Sequence, residues 1–133
     1  MAKQRFKNWK KPIIKEGKLT KWNWMVQGLS GLKLGKETDI GAFTYINAQA
    51  GVEIGDRVEI GGGCHIYSVS TIDGKRGRVV LEEGCRIGAH SVVLPGVRVG
   101  RNTTVGACSL VTKNLPPNVI AFGCPAKIVS KLK

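Results

Sequence analysis

The sequence predicts an all-β solenoid, a chain wound into short three-sided coils, and three observations predict it. From Leu34 onward an aliphatic residue recurs every six positions. Glycine is abundant, at 18 of 133 residues, about twice the usual ~7 %. Aromatic residues make up only 6 % of the chain, too few large side chains to fill an ordinary core of this size. Many glycines and few rings suit backbone stacked in a narrow, regular way. Apolar residues reach 42 % and charged ones 23 %, and no run approaches the ~18 apolar residues of a membrane span. No apolar N-terminal stretch behind a basic flank is present, so neither a secretory signal nor a transmembrane segment is expected.

The elements follow in chain order. Residues 1–33 read as a basic cap segment. Residues 1–24 carry eight bases (Lys3, Arg5, Lys7, Lys10, Lys11, Lys15, Lys18, Lys21) against Glu16 alone, within a chain of net charge +12, and hold all three tryptophans, Trp9, Trp22 and Trp24. Trp faces covering an open end of the body, with lysines left in water, account for this pattern. An anionic partner is the competing explanation. No recognised nucleic-acid motif accompanies it, so nucleic acid is not expected.

Residues 34–117 read as the solenoid. The aliphatic positions are Leu34, Ile40, Ile46, Ile54, Ile60, Ile66, Leu81, Ile87, Val93, Val99, Val105 and Val111, and seven of these twelve are followed by glycine. Four residues after each stands a small or apolar residue, from Thr38, Thr44 and Ala50 through Cys64 and Ser70 to Ser109 and Leu115. Both sets are expected to point inward. A period of six fits neither the 3.6 of a helix nor a long two-residue alternation. It fits coils of about 18 residues with three flat sides, stacked at the ~4.8 Å strand spacing. The phase slips by two residues between Ile46 and Ile54. It slips again at Asp73-Gly74-Lys75-Arg76-Gly77-Arg78, which reads as an excursion loop. Residues 118–133, after Pro116-Pro117, read as a C-terminal cap with a short helix beyond Pro125.

The repeat resembles the hexapeptide-repeat acyltransferases, and that resemblance implies a left-handed parallel β-helix. A sharper likeness lies in Ile87-Gly88-Ala89-His90-Ser91-Val92-Val93-Leu94-Pro95-Gly96-Val97. It continues in Val111-Thr112-Lys113-Asn114-Leu115-Pro116-Pro117-Asn118 and Gly123-Cys124-Pro125-Ala126-Lys127. These stretches are similar to the C-terminal half of the maltose, galactoside and nodulation acetyltransferases, the likeness covering about residues 34–130. It implies an acetyl-CoA-dependent acetyltransferase acting on a hydroxyl or amine of a sugar or nucleotide-linked sugar, as a cytoplasmic homotrimer. A non-catalytic trimeric scaffold or anion-binding module is the alternative.

Acetyl transfer needs a base for the acceptor proton, donors for the oxyanion and alignment of both substrates. The family places its histidine just before the excursion loop, where this chain aligns Thr71, which is no general base. The remaining candidates are His90, expected to lie over Val69, and His65, on an outward position. A third possibility is no protein base at all, with an amine acceptor. Asn47 resembles the asparagine that orients the acyl group or its oxyanion; a left-handed backbone role is its alternative. Ala89 and Ala107 match positions lining the pantetheine path. Thr112, Lys113 and Lys127 match residues near the coenzyme phosphates, where solvated lysines are the competing reading. Cys64 and Cys85 read as small apolar residues on inward positions, Cys108 and Cys124 stand isolated, and the lack of a Cys-x-x-Cys pair suits a reducing compartment. With two histidines in all, a three-histidine zinc site is excluded and no metal is expected.

Overall fold

Each six-residue unit yields two or three residues of strand, and the strands stack in parallel. The computed structural model describes residues 6–132. Face A consists of β1 (Met25–Gln27), β4 (Tyr45–Asn47), β7 (His65–Tyr67), β12 (Val92–Val93) and β15 (Leu110–Val111). Face B consists of β2 (Leu32–Leu34), β5 (Val52–Ile54), β10 (Val79–Leu81) and β13 (Arg98–Val99), with Val99 bridging to Leu115. Face C consists of β3 (Asp39–Ile40), β6 (Glu59–Ile60), β11 (Arg86–Ile87), β14 (Thr104–Val105) and β16 (Val119–Gly123). Passing A, B, C and back to A makes one coil, and the chain makes about five.

The aliphatic column fills the centre. Ile46, Ile54, Ile66, Leu81, Val93, Val99, Val105 and Val111 are all buried, each such burial stabilising by roughly 1.5–3 kcal/mol. The small polar inward residues close the corners. The Thr44 hydroxyl donates to the Gly61 carbonyl at 3.0 Å and accepts from the Cys64 N–H at 3.3 Å. Ser109 does the same between the Gly106 carbonyl and the Gly123 N–H, at 2.7 and 3.1 Å. Glycine is required where coils touch: a Cβ on Gly61 would stand 2.6 Å from the Ala89 nitrogen.

Four expectations change. Solenoid winding begins at Met25, not Leu34: Val26 pairs with Ile46 on face A. The signal was present, because Val26 to Leu34 repeats the eight-residue spacing of Ile46 to Ile54. Both coils insert the same two residues, coil one through the 3₁₀ turn Leu29–Gly31. Second, Ala50 and Ser70 do not point inward. At these two slips Ala48 with Val52, and Ser68 with Val79, take the buried places. Third, the excursion leaves earlier than residue 73, as a hairpin of β8 (Val69–Ser70) and β9 (Lys75–Arg76), and it rejoins where the Gly77 N–H donates to the Ser68 carbonyl at 2.9 Å. Fourth, the short C-terminal helix is absent. Residues Ala126–Lys131 form β17, antiparallel on β16. The last parallel strand still offers a free hydrogen-bonding edge, and β-branched Ile128 and Val129 suit a strand there.

Residues 6–24 lie along the first coil. The Trp9 indole N–H donates to the Thr38 carbonyl at 2.9 Å, and the Gly17 N–H to the Val26 carbonyl at 2.9 Å. Trp24 is buried in the core with Ile14 packed against it. The Glu16 carboxylate accepts from the Leu29 and Gly28 N–H groups at 2.7 and 2.8 Å. Those two amides hold its carboxyl below the usual carboxylate value of 4.5, Leu29 contributing most.

Candidate active site

Face A is the chemically dense side. Its outward residues along the strands are Met25, Tyr45, His65, Val92 and Leu110, with Gln27, Asn47 and Tyr67 along the margin that leads to face B. Tyr45, His65 and Tyr67 cluster there. Their ring centroids lie 5.8–6.1 Å apart, with His65 and Tyr67 stacked at 18°, and the Tyr45 hydroxyl is hydrogen-bonded to the Gln27 amide oxygen. Burial, and secondarily Tyr45, pushes the Tyr67 phenol above 10, so it stays a neutral hydrogen-bond donor across the physiological range.

Asn47 sits at the end of β4 in extended backbone and is buried. A left-handed corner is therefore not its role. Its Oδ1 accepts from the Gln49 N–H at 3.1 Å and the Ser68 hydroxyl at 3.3 Å. Ser68 in turn accepts from the Ala50 N–H at 2.9 Å. This fixes the amide and leaves its Nδ2–H groups as the donors, the atoms an oxyanion needs.

The two histidines occupy different places. His65 projects from the middle of face A. His90 does not lie over Val69. It stands on the opposite margin, at the turn from face C to face A, with φ 59 and its N–H donating to the Gly62 carbonyl at 2.9 Å. Its imidazole folds over Gly63, where a Cβ would come within 2.6 Å of Nδ1. The reason is register. Ile87 pairs with Ile60, and it is Val93, twenty-seven residues on, that pairs with Ile66. The β8–β9 hairpin absorbs more chain than a three-residue insertion would. Thr71, on that hairpin, and His90 therefore flank face A from opposite sides.

The same face C-to-A turn carries a second feature. Ala42, Gly62, Ala89 and Ala107 stack in register, because the N–H groups of Gly63, His90 and Cys108 donate to the carbonyls of Ala42, Gly62 and Ala89 at 2.8–2.9 Å. No side chain in this column exceeds a methyl group, so it leaves a strip clear of side chains, a trough in that sense alone, along the solenoid axis toward the exposed ring of Phe122 beside Gly106. Lys127 pairs with Phe122 across β16–β17, at this end of the trough. Thr112 and Lys113 are exposed on the other margin of face A, just after β15. A single chain thus brings Ala89, Ala107, His90 and Lys127 to one margin, and Asn47, Tyr67, Thr112 and Lys113 to the other.

Of the four cysteines, Cys108 and Cys124 are exposed. Cys64 and Cys85 are buried; burial raises both thiols, Cys85 to about 12. Among the described residues no group of three or more His, Cys, Asp or Glu could hold a metal ion.

The repeat also matches two family models, the bacterial transferase hexapeptide over residues 78–113 and the hexapeptide repeat of succinyl-transferase over residues 31–68. Hexapeptide repeats of these two models thus run through both halves of the solenoid. Among curated hexapeptide-repeat relatives, a galactoside O-acetyltransferase of Lactococcus lactis is 51 % identical over 55 residues, 41 % of this chain and 27 % of the relative. A serine acetyltransferase of Buchnera aphidicola is 34 % identical over 100 residues, 71 % of this chain and 38 % of the relative. The chain therefore spans well under half the length of these relatives. Among solved structures, a hexapeptide-repeat acetyltransferase of Vibrio cholerae complexed with acetyl-coenzyme A superimposes with a TM-score of 0.78 at 28 % identity, over 83 % of this chain and 65 % of that one. A variant of an N-acyltransferase from Bacillus cereus, in complex with dTDP and coenzyme A, superimposes at 0.75 and 25 % identity, over 83 % and 68 %. The hexapeptide-repeat fold is the left-handed parallel β-helix of such acetyltransferases.

Sequence reasoning missed Tyr45 and Tyr67 as parts of this surface. Their spacing carried the signal: Tyr45, Asn47, His65 and Tyr67 are the outward i and i+2 positions of two strands one coil apart.

Proposed function

We propose that the chain is an acetyl-CoA-dependent acetyltransferase acting on a hydroxyl or amine of a sugar or nucleotide-linked sugar, and that it works as a homotrimer. The observation that carries this is the methyl-lined trough of Ala42, Gly62, Ala89 and Ala107, on a fold shared with an acetyltransferase solved with acetyl-coenzyme A. An extended pantetheine arm needs such a path, with no side chain in the way. Lys127 at its end, and Lys113 and Thr112 of a neighbouring copy, suit the coenzyme phosphates. The division of candidate groups between two margins argues for completion by another copy. Cyclic symmetry sets the trough of one chain against the Asn47–Tyr67 margin of the next.

In the reaction the acetyl carbon–sulfur bond breaks and a carbon–oxygen or carbon–nitrogen bond forms. The acceptor proton passes to His90, beside the trough, or to His65. Coenzyme A leaves as the thiol, taking a proton. The Asn47 amide donates to the oxyanion. The sugar acceptor is supported by the galactoside and dTDP-binding relatives, and the serine acetyltransferase likeness keeps a small hydroxylated acceptor in the panel.

The second reading, a scaffold that has lost transfer, is favoured by one observation, Thr71 on the hairpin in the family's histidine position. Saturation binding of coenzyme A, followed by a thiol-release assay over sugars, amino sugars and serine, separates the two. Saturable binding with release on one acceptor class supports the transferase. Binding without release on any acceptor supports the scaffold.

A further inference from the structure

The end of the solenoid carrying the first coil presents an unusual surface. Burial alternates along residues 11–15: Pro12 and Ile14 are half-buried, while Lys11, Ile13 and Lys15 are exposed. Ile13 is 83 % exposed. Farther along, Leu19 is 56 % and Trp22 46 % exposed, flanked by exposed Lys18 and Lys21. The Lys21 ammonium stands 4.6 Å over the Trp22 ring. Glu16, the sole acid of residues 1–24, is spent on the Gly28 and Leu29 amides. A shallow groove of about 360 Å³, lined by Trp9, Lys10, Lys21 and Trp22 and also by Asp39, opens beside these residues.

We propose that this end of the molecule docks on an anionic lipid surface. Folding has no use for Ile13 and Leu19 in water, since the core is closed beneath them by Ile14 and Trp24. Aliphatic tips and an indole set among lysines suit the boundary between headgroups and acyl chains. The lysines meet lipid phosphates there while the apolar tips enter the acyl layer. Nucleic acid would satisfy the lysines but leave the aliphatic tips in water. Among the described residues no helix is long and apolar enough to cross a membrane. It lies at the solenoid end, apart from face A, and neither assignment depends on the other.

The test is flotation with phosphatidylcholine vesicles and with vesicles holding a third phosphatidylglycerol, read also by tryptophan emission. All three tryptophans lie at this end, so emission reports on it alone. Docking predicts binding to the anionic vesicles only, release by salt, and a blue shift from Trp22. Replacing Lys11 and Lys15 by Gln should weaken partition about five-fold each. Ile13→Ser with Leu19→Ser, which leaves net charge and buried residues untouched, should weaken it at least ten-fold. Absence of binding to anionic vesicles overturns the proposal. So does unchanged binding by the double serine variant with equally tight capture of single-stranded DNA, which would make the surface a general polyanion site. A lower oligomer mass in that variant would assign the surface to another copy of the chain instead.

Discussion

Faces A and B are built from the same repeat yet expose different chemistry. On face B the outward residues include Lys33, Glu53 and Arg98, and ion pairs tie its coils together, Arg78 to Glu53 at 3.3 Å and Arg98 to Glu82. Face C is similar, with Glu59 bound to Arg86 at 3.1 Å. The outward residues of face A, from Met25 through Tyr45 and His65 to Val92 and Leu110, include no Lys, Arg, Asp or Glu. Exposed ion pairs stabilise by ~0–1 kcal/mol, so the ladders chiefly keep two faces in water. A charge-free face with aromatic side chains has the composition of a surface that another molecule covers. On the proposed function, the difference leaves faces B and C to water and gives assembly and chemistry to face A.

The largest effects should come from His65 on face A and His90 at its margin. His90→Asn or His65→Asn, at whichever serves as base, should lower turnover by about 10²–10⁴ with coenzyme A affinity nearly unchanged. If both variants keep full activity, the acceptor is an amine, and rate should follow the neutral fraction of that amine. On face C, Glu59→Gln should leave turnover alone.

Next comes assembly. Leu110→Lys puts a charge into the covered face and should shift sedimentation from trimer to monomer, at a cost of about 3 kcal/mol or more per interface. Glu53→Gln on face B should leave the mass as it was. Equal behaviour of the two variants would erase the distinction between the faces. Smaller again, Lys113→Ala and Lys127→Ala should each weaken coenzyme A binding by about 1–2 kcal/mol. Dephospho-coenzyme A should remove that sensitivity at whichever lysine meets the 3′-phosphate.

How much of this was legible in the sequence depends on how local the signal was. Apart from the slip at Ser70, inward residues from Ile54 to Val111 could be read from spacing because each unit repeats its own small problem, an aliphatic beneath a tight corner. Reading failed where the chain departs from that unit. Val26 and Leu32 belonged to a coil whose inserted turn hid the period, and the C-terminal strand was set by a free edge that no motif encodes. The site was harder. Which coil lies above which depends on the length of the hairpin, and an error there moved His90 across the whole width of face A. Asn47 was named by resemblance, while its burial against Ser68 was not readable from spacing. The stacking of Tyr45, His65 and Tyr67 became visible only once register was fixed.

A smaller effect concerns pH. The Glu16 carboxyl lies below its ordinary 4.5 because the Leu29 and Gly28 amides bond the ionised form. Its contribution is therefore complete above that value and is lost as pH falls through the depressed one. Acid unfolding of Glu16→Gln should lack this component, and proteolysis within residues 6–24 should be faster in the variant at neutral pH. The weakest change should be Arg86→Ala on face C, at less than about 1 kcal/mol in urea unfolding.

The division between the faces is tested most directly by titrating coenzyme A into the wild-type chain and into Leu110→Lys, with the mass of each measured in the same solution. A cleft shared by two copies predicts one saturable site per chain in a wild-type trimer, and loss of binding in a folded Leu110→Lys monomer. A monomeric wild type, or a folded Leu110→Lys monomer that binds coenzyme A as tightly as wild type, would contradict it.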